Sequence, residues 1–133
     1  MASEIDIEVI ETRTARIYLG DDGIVRIDIV LPDARITVTD SQEYSEALAR
    51  VCQGKRRPIL VDMRKVRSSD RASRDFANND QGPLIISAFA LLGNSLVTMM
   101  IGNLFVKLTR PPFPTRLFQN EVEVLQWLKQ YLD

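Results

Sequence analysis

The chain has no histidine and a single cysteine, Cys52, among its 133 residues. No intrachain disulfide can form, and no Cys/His zinc cluster can be assembled. Histidine acid–base catalysis and every Ser-His or Cys-His nucleophile are excluded as well. An excess of positive charge is also missing. The formal net charge is -1, whereas a surface built to hold a nucleic-acid backbone needs a concentrated positive field. The opening Met1-Ala2-Ser3-Glu4-Ile5-Asp6 is acidic and has no basic region before an apolar stretch, so it does not read as a secretory signal. The longest apolar tract, Leu84 to Leu108, is broken by Ser87, Gly93-Asn94-Ser95, Thr98, Gly102-Asn103 and Lys107, which argues against a membrane span. No glycine-rich phosphate loop occurs, because Gly20-Asp21-Asp22-Gly23 lacks the strand-then-helix context. These absences lead to the expectation of a cytoplasmic protein that is not an enzyme and uses no cofactor or metal.

What is present is ordinary for a globular domain: 45% apolar and 26% charged residues. The length suits one domain over residues 1–133, with 1–12 as a flexible or edge-strand segment. Ala15, Ile17 and Leu19, then Val25, Ile27 and Ile29, alternate with polar residues and predict two strands joined at Gly20-Asp21-Asp22-Gly23 as an antiparallel hairpin. Ile36 and Val38 alternate with Thr37 and Thr39 in a third strand. Asp40, with Glu43 three residues on, reads as the cap of an amphipathic helix bearing Tyr44, Ala47, Leu48 and Val51 and ending at Gly54. Ile59-Leu60-Val61-Asp62-Met63 has the nearly unbroken apolarity of a central strand. A helix over Ser69–Asn79, a strand over Ile85–Leu92, a helix over Ser95–Leu108, a short strand at Arg116-Leu117-Phe118 and a helix capped by Asn120 complete the order. The expected fold is α/β: a mixed sheet of five to six strands, antiparallel at its N-terminal side and parallel in the middle, with four helices.

Three segments carry candidate function. Arg64, Lys65, Arg67, Arg71 and Arg74 gather around Ser68, Ser69, Asp70 and Ser73 in what reads as a loop opening a helix. Forked donors and a helix N-terminus suit a phosphate, a carboxylate or an acidic partner, although a solvated basic loop has the same composition. In Ser95–Leu108, the residues Val97, Met100, Ile101, Leu104 and Leu108 read as the core side. Leu96, Met99 and Val106, with Gly102, then form a second apolar side. That side calls for a homodimer, another protein, an apolar ligand or the chain's own C-terminal segment to cover it. Pro111-Pro112-Phe113-Pro114 is either an extended recognition element or a stiff connection with Phe113 in the core. Asp62, Asp70 and Asp75 are the nearest approach to a carboxylate cluster, and Asp62 reads as the cap of a neighbouring loop or a partner of Arg64 or Arg67.

The order of elements, together with Pro58-Ile59-Leu60-Val61-Asp62-Met63-Arg64-Lys65-Val66 running into a short helix, resembles the STAS family of anti-sigma factor antagonists. Ser73-Arg74-Asp75-Phe76-Ala77, Ile101-Gly102-Asn103-Leu104-Phe105 and Pro111–Phe118 are similar to the STAS-like branch grouped with the CRAL-TRIO lipid-binding fold. The resemblance runs from Ile24 to Leu132. It implies a regulatory module that binds another protein, or a carrier of a lipid or other small apolar or anionic ligand. In the anti-sigma factor antagonists a serine at the start of the second helix is phosphorylated. The matching position here is Ala72, so that switch does not carry over. The leading expectation is a homodimeric, non-catalytic protein-interaction module.

Overall fold

The structure, a computed structural model, describes residues 8–78, 85–109 and 112–132. Alternation builds strands β2 (Ala15–Leu19) and β3 (Val25–Ile29), which pair antiparallel with Ile17 opposite Ile27. Because the side-chain period of a strand is two, this register sends Ala15, Ile17, Val25, Ile27 and Ile29 to one buried face. It leaves Arg16, Tyr18, Arg26 and Asp28 on the other. The turn between them needs Gly23, whose φ of +85° is costly for any side chain. Strand β1 (Ile10–Glu11) adds antiparallel to β2 at the sheet edge.

The third expected strand is displaced. Strand β4 (Ala34–Ile36) ends sooner, and helix α1 (Val38–Val51) is capped by Thr37. The Thr37 side chain accepts from the Asp40 amide, and the Asp40 carboxylate accepts from the Thr37 amide at 2.9 Å. Asp40 is therefore the third residue of the helix, closing the box, and not the cap that its spacing to Glu43 predicts. Strand β5 (Arg57–Asp62) follows, and then a strand that the sequence reading had as loop, β6 (Val66–Ser69). Strands β4 and β6 pair in parallel as a separate two-stranded sheet, sending Ala34, Ile36 and Val66 into the core. Helix α2 (Arg71–Asn78) comes next; its expected end at Asn79 lies outside the described residues.

Strand β7 (Ile86–Leu92), helix α3 (Leu96–Leu104) with a π-helical continuation over Phe105–Thr109, strand β8 (Thr115–Phe118) and helix α4 (Glu121–Lys129) close the chain. The main sheet has six strands in the order β1-β2-β3-β5-β7-β8, parallel from β3 onward. The mixed α/β architecture is the one the sequence predicts. One face carries the larger core, Ile17, Val25, Ile27, Ile59, Val61 and Leu91, together with Ala47, Leu48 and Val51 of α1. The opposite face packs Leu60, Ala88, Ala90, Leu92 and Phe118 against Val124 and Leu128 of α4. No helix among the described residues is long and apolar enough to cross a membrane.

Candidate functional site

The larger core is not filled. A cavity of about 160 Å³ lies between the sheet and the helices α1, α2 and α3. Ile27, Ile29, Val61, Phe89 and Leu91 of the sheet form its floor, and Tyr44, Leu48, Phe76, Ile101 and Phe105 come from the helices. The Phe89 ring lies 5.6 Å from that of Phe105 and 5.9 Å from that of Phe113, so three aromatic rings meet along this wall. The polar lining comes from Ser41 and Ser45 of α1, Ser69 at the end of β6, and Ser73 and Arg74 of α2. Burial pushes the Tyr44 phenol up to about 12, partly offset by its hydrogen bond with Thr14, so this hydroxyl stays protonated.

The basic segment is held more tightly than a free loop would be. Arg64 forks onto Asp62 through Nε at 2.9 Å and Nη2 at 2.6 Å, the pairing the sequence reading allowed for Asp62. Arg71 lies 3.7 Å from Asp75 one turn on. Arg74 donates through Nη1 to the Ser69 carbonyl at 2.9 Å and the Ser69 hydroxyl at 3.3 Å. At the start of α2, the Asp70 carboxylate accepts from the Ser73 amide at 2.8 Å. One of the amides that an external anion would use is therefore occupied by the protein's own acid. Arg67 and Ser68 are exposed on β6, and Ser73 is buried with its hydroxyl donating to the Asp70 carbonyl. The positions of this segment thus fall into different settings, and of them Ser69, Ser73 and Arg74 reach the cavity.

Helix α3 is rotated relative to the sequence expectation: Ile101 keeps the core side and Leu96 the outer one, while other positions exchange sides. Thr98 and Gly102 are buried, Met99, Ile101, Phe105 and Val106 are half-buried, and Phe113 packs on the same core. Val97, Met100 and Leu104, read as core, are exposed beside Leu96, with 50%, 57%, 45% and 78% of their surface open respectively. Two residues decide the orientation. The Thr98 hydroxyl accepts from the Asn94 and Ser95 amides at 2.9 Å, which lets a polar side chain go inward. Gly102 seats the helix on Leu117 of β8, where a Cβ would lie 2.6 Å from a Leu117 methyl. The close approach at Gly102 is thus made by the chain's own Leu117 side chain. The side chain of Leu108, and Pro111, lie outside the described residues.

On the opposite sheet face Asp28 and Asp62 are register partners on β3 and β5, a pair that sequence reading missed because they lie 34 positions apart. Burial, and then the neighbouring Asp62 charge, push the Asp28 carboxyl up, while a hydrogen bond from the Tyr18 hydroxyl at 3.1 Å pulls it down. Among the described residues no group of three or more Cys, Asp or Glu is placed to hold a metal ion.

The solved structure of an uncharacterised DUF3478-family protein from Shewanella loihica PV-4, described as SpoIIAA-like in fold, is similar to this chain. The TM-score is 0.59 at 15% identity, covering 92% of this chain and 91% of that one. A protein of unknown function from Arthrobacter sp. FB24 is 33% identical over 84% of this chain and 96% of its own, with a TM-score of 0.34. Apo-SiaC from Pseudomonas aeruginosa is 12% identical, with a TM-score of 0.47, 86% of this chain covered and 99% of that one. No curated protein matches the chain. The fold is therefore SpoIIAA-like, in keeping with the resemblance to anti-sigma factor antagonists. The sequence comparison is more specific: residues 17–132 match the domain of unknown function DUF7793, and the chain belongs to that family.

Proposed function

We propose that this domain is a non-catalytic regulatory module that binds a partner protein through the outer face of α3. The observation that carries the reading is the stripe Leu96, Val97, Met100 and Leu104, which holds four of the eight exposed large apolar side chains of the described residues. The other four, Val9, Val30, Val122 and Leu132, are spread over other elements. Singly exposed apolar residues are ordinary, whereas a contiguous stripe marks a surface that another molecule covers. The reading against catalysis rests on chemistry. Histidine is absent from the sequence, and the Cys52 thiol is buried and pushed up by that burial. Asp62 is engaged by Arg64.

Charge selects the partner. Helix α3 packs beside β6, which exposes Arg67, and the whole stretch Leu96–Thr109 contains a lysine and no acid. A two-fold contact between copies would set like rims together, at a cost in free energy. The occupant is accordingly a different protein with an apolar patch rimmed by acidic side chains; a second copy of this chain is the competing outcome. A photo-crosslinking residue at position 100 in the native host, followed by reconstitution with the purified captured protein, tests this. Met100→Asp is expected to weaken binding more than tenfold, and Arg67→Glu to weaken it and flatten its salt dependence. Crosslinking only to another copy, with a dimer in light scattering that Met100→Asp dissociates, would replace the hetero-partner by a homodimer. Binding indifferent to Met100→Asp would remove the stripe from the interface.

A further inference from the structure

We propose that the cavity beneath α3 is a binding site for a small amphipathic monocarboxylate, its apolar part of about six carbons against the phenylalanine wall and its carboxylate on Arg74. Cores packed to the usual density keep few voids larger than a water molecule. This half-open cavity of about 160 Å³ has room for a benzene-sized guest. The lining sets the chemistry. Most of it is aliphatic or aromatic, which favours an apolar body, yet serine hydroxyls and one guanidinium share the same space.

No Asp or Glu among the described residues lines the cavity, so none of these acids sets a counter-charge beside Arg74 there. Among the described residues Arg74 makes no ion pair, in contrast to Arg64 and Arg71. Its Nη1 is anchored on Ser69, which fixes the guanidinium at low entropic cost. A fixed guanidinium with no acid beside it among the described residues suits an oxyanion, of which a carboxylate is small enough to share the space with an apolar body, and the Ser69 hydroxyl, which accepts from Arg74, can donate to the same oxygens. A neutral guest would leave this charge unmatched, and only a short apolar segment fits inside the cavity.

The test uses hexanoate, 1-hexanol and acetate as probes, followed by amide chemical shifts of the labelled full chain. Hexanoate is expected to shift Phe89, Ile101 and Phe105 saturably and about tenfold more tightly than hexanol. Acetate, which has the charge without the body, is expected to leave these amides unmoved. Arg74→Gln should bring hexanoate and hexanol within about twofold of each other, and Ser41→Phe, which fills the void, should abolish both. The absence of saturable shifts at the lining amides overturns the site. Equal affinity of acid and alcohol in the unmodified chain overturns the role of Arg74. Should Ser41→Phe not fold, the Arg74→Gln comparison still decides. None of these results depends on the outer face of α3, so the partner-protein reading stands or falls separately.

Discussion

Asp28 and Asp62 sit side by side on β3 and β5, and their surroundings pull them apart chemically. Asp62 has a guanidinium forked onto it, whereas Asp28 has only the Tyr18 hydroxyl and is pushed up by burial and by its neighbour's charge. A carboxyl raised in the folded state supplies stability below its ordinary value of 3.8 and loses it as pH climbs through the folded value. At neutral pH Asp28 is therefore a small cost. Asp28→Asn, which keeps an acceptor for Tyr18, should raise the urea midpoint at pH 7 and leave it unchanged near pH 3. The gain should stay below about 1 kcal/mol because the pair is partly open to solvent screening. An equal loss at both pH values would show that shape, rather than charge, decides this site.

At the scale of the element, α1 shows how a distant contact chooses between two local spacings. Thr37-x-x-Asp40 and Asp40-x-x-Glu43 both have the separation of a capping box, and sequence alone favoured the second. The first forms because Arg13, 27 positions away, reaches Asp40 with bonds of 2.6 and 3.2 Å and draws it inward until it is 1% exposed. Burial by itself would push this carboxyl up. The bonds from Arg13 and Thr37 outweigh it and hold Asp40 below the usual carboxylate range. That stability is present at neutral pH and is lost as pH falls through the depressed value. Asp40→Asn should cost about 1–3 kcal/mol at pH 7, with the loss shrinking towards pH 2 in denaturant titrations; a cost independent of pH would refute the charged contact. The same logic marks what was legible. Periodicity placed β2, β3, β5, β7 and the four helices, because apolar spacing is a local property. It missed β6, whose sequence Val66-Arg67-Ser68-Ser69 has one apolar residue and becomes a strand only by pairing with β4. It misplaced Val97, Met100 and Leu104 of α3, because a buried Thr98 and Gly102 look like surface residues until Asn94, Ser95 and Leu117 are placed beside them. The candidate cavity was the least legible part, since its walls come from residues between Ile27 and Phe113 that only the folded sheet assembles.

For the whole molecule, α3 is the shared wall between the two proposed sites. Ile101, Gly102 and Phe105 line the cavity, and Leu96, Val97, Met100 and Leu104 face outward from the same helix. A guest that binds only the folded state stabilises it by RT ln(1 + [L]/Kd), about 1.4 kcal/mol at ten times Kd, whatever covers the outer stripe. For a domain of this length that corresponds to a rise in Tm of roughly 5 °C. Hexanoate should give this rise in the unmodified chain and equally in Met100→Asp, whose substitution lies on the solvent side. It should give none in Ser41→Phe. If Met100→Asp abolished the rise while its circular dichroism stayed native, the two faces of α3 would be one coupled unit. Thermodynamic linkage would then require partner and guest to change each other's affinity by the same factor. If the rise survives, the helix separates two independent surfaces, and the inner one answers to small-molecule chemistry alone.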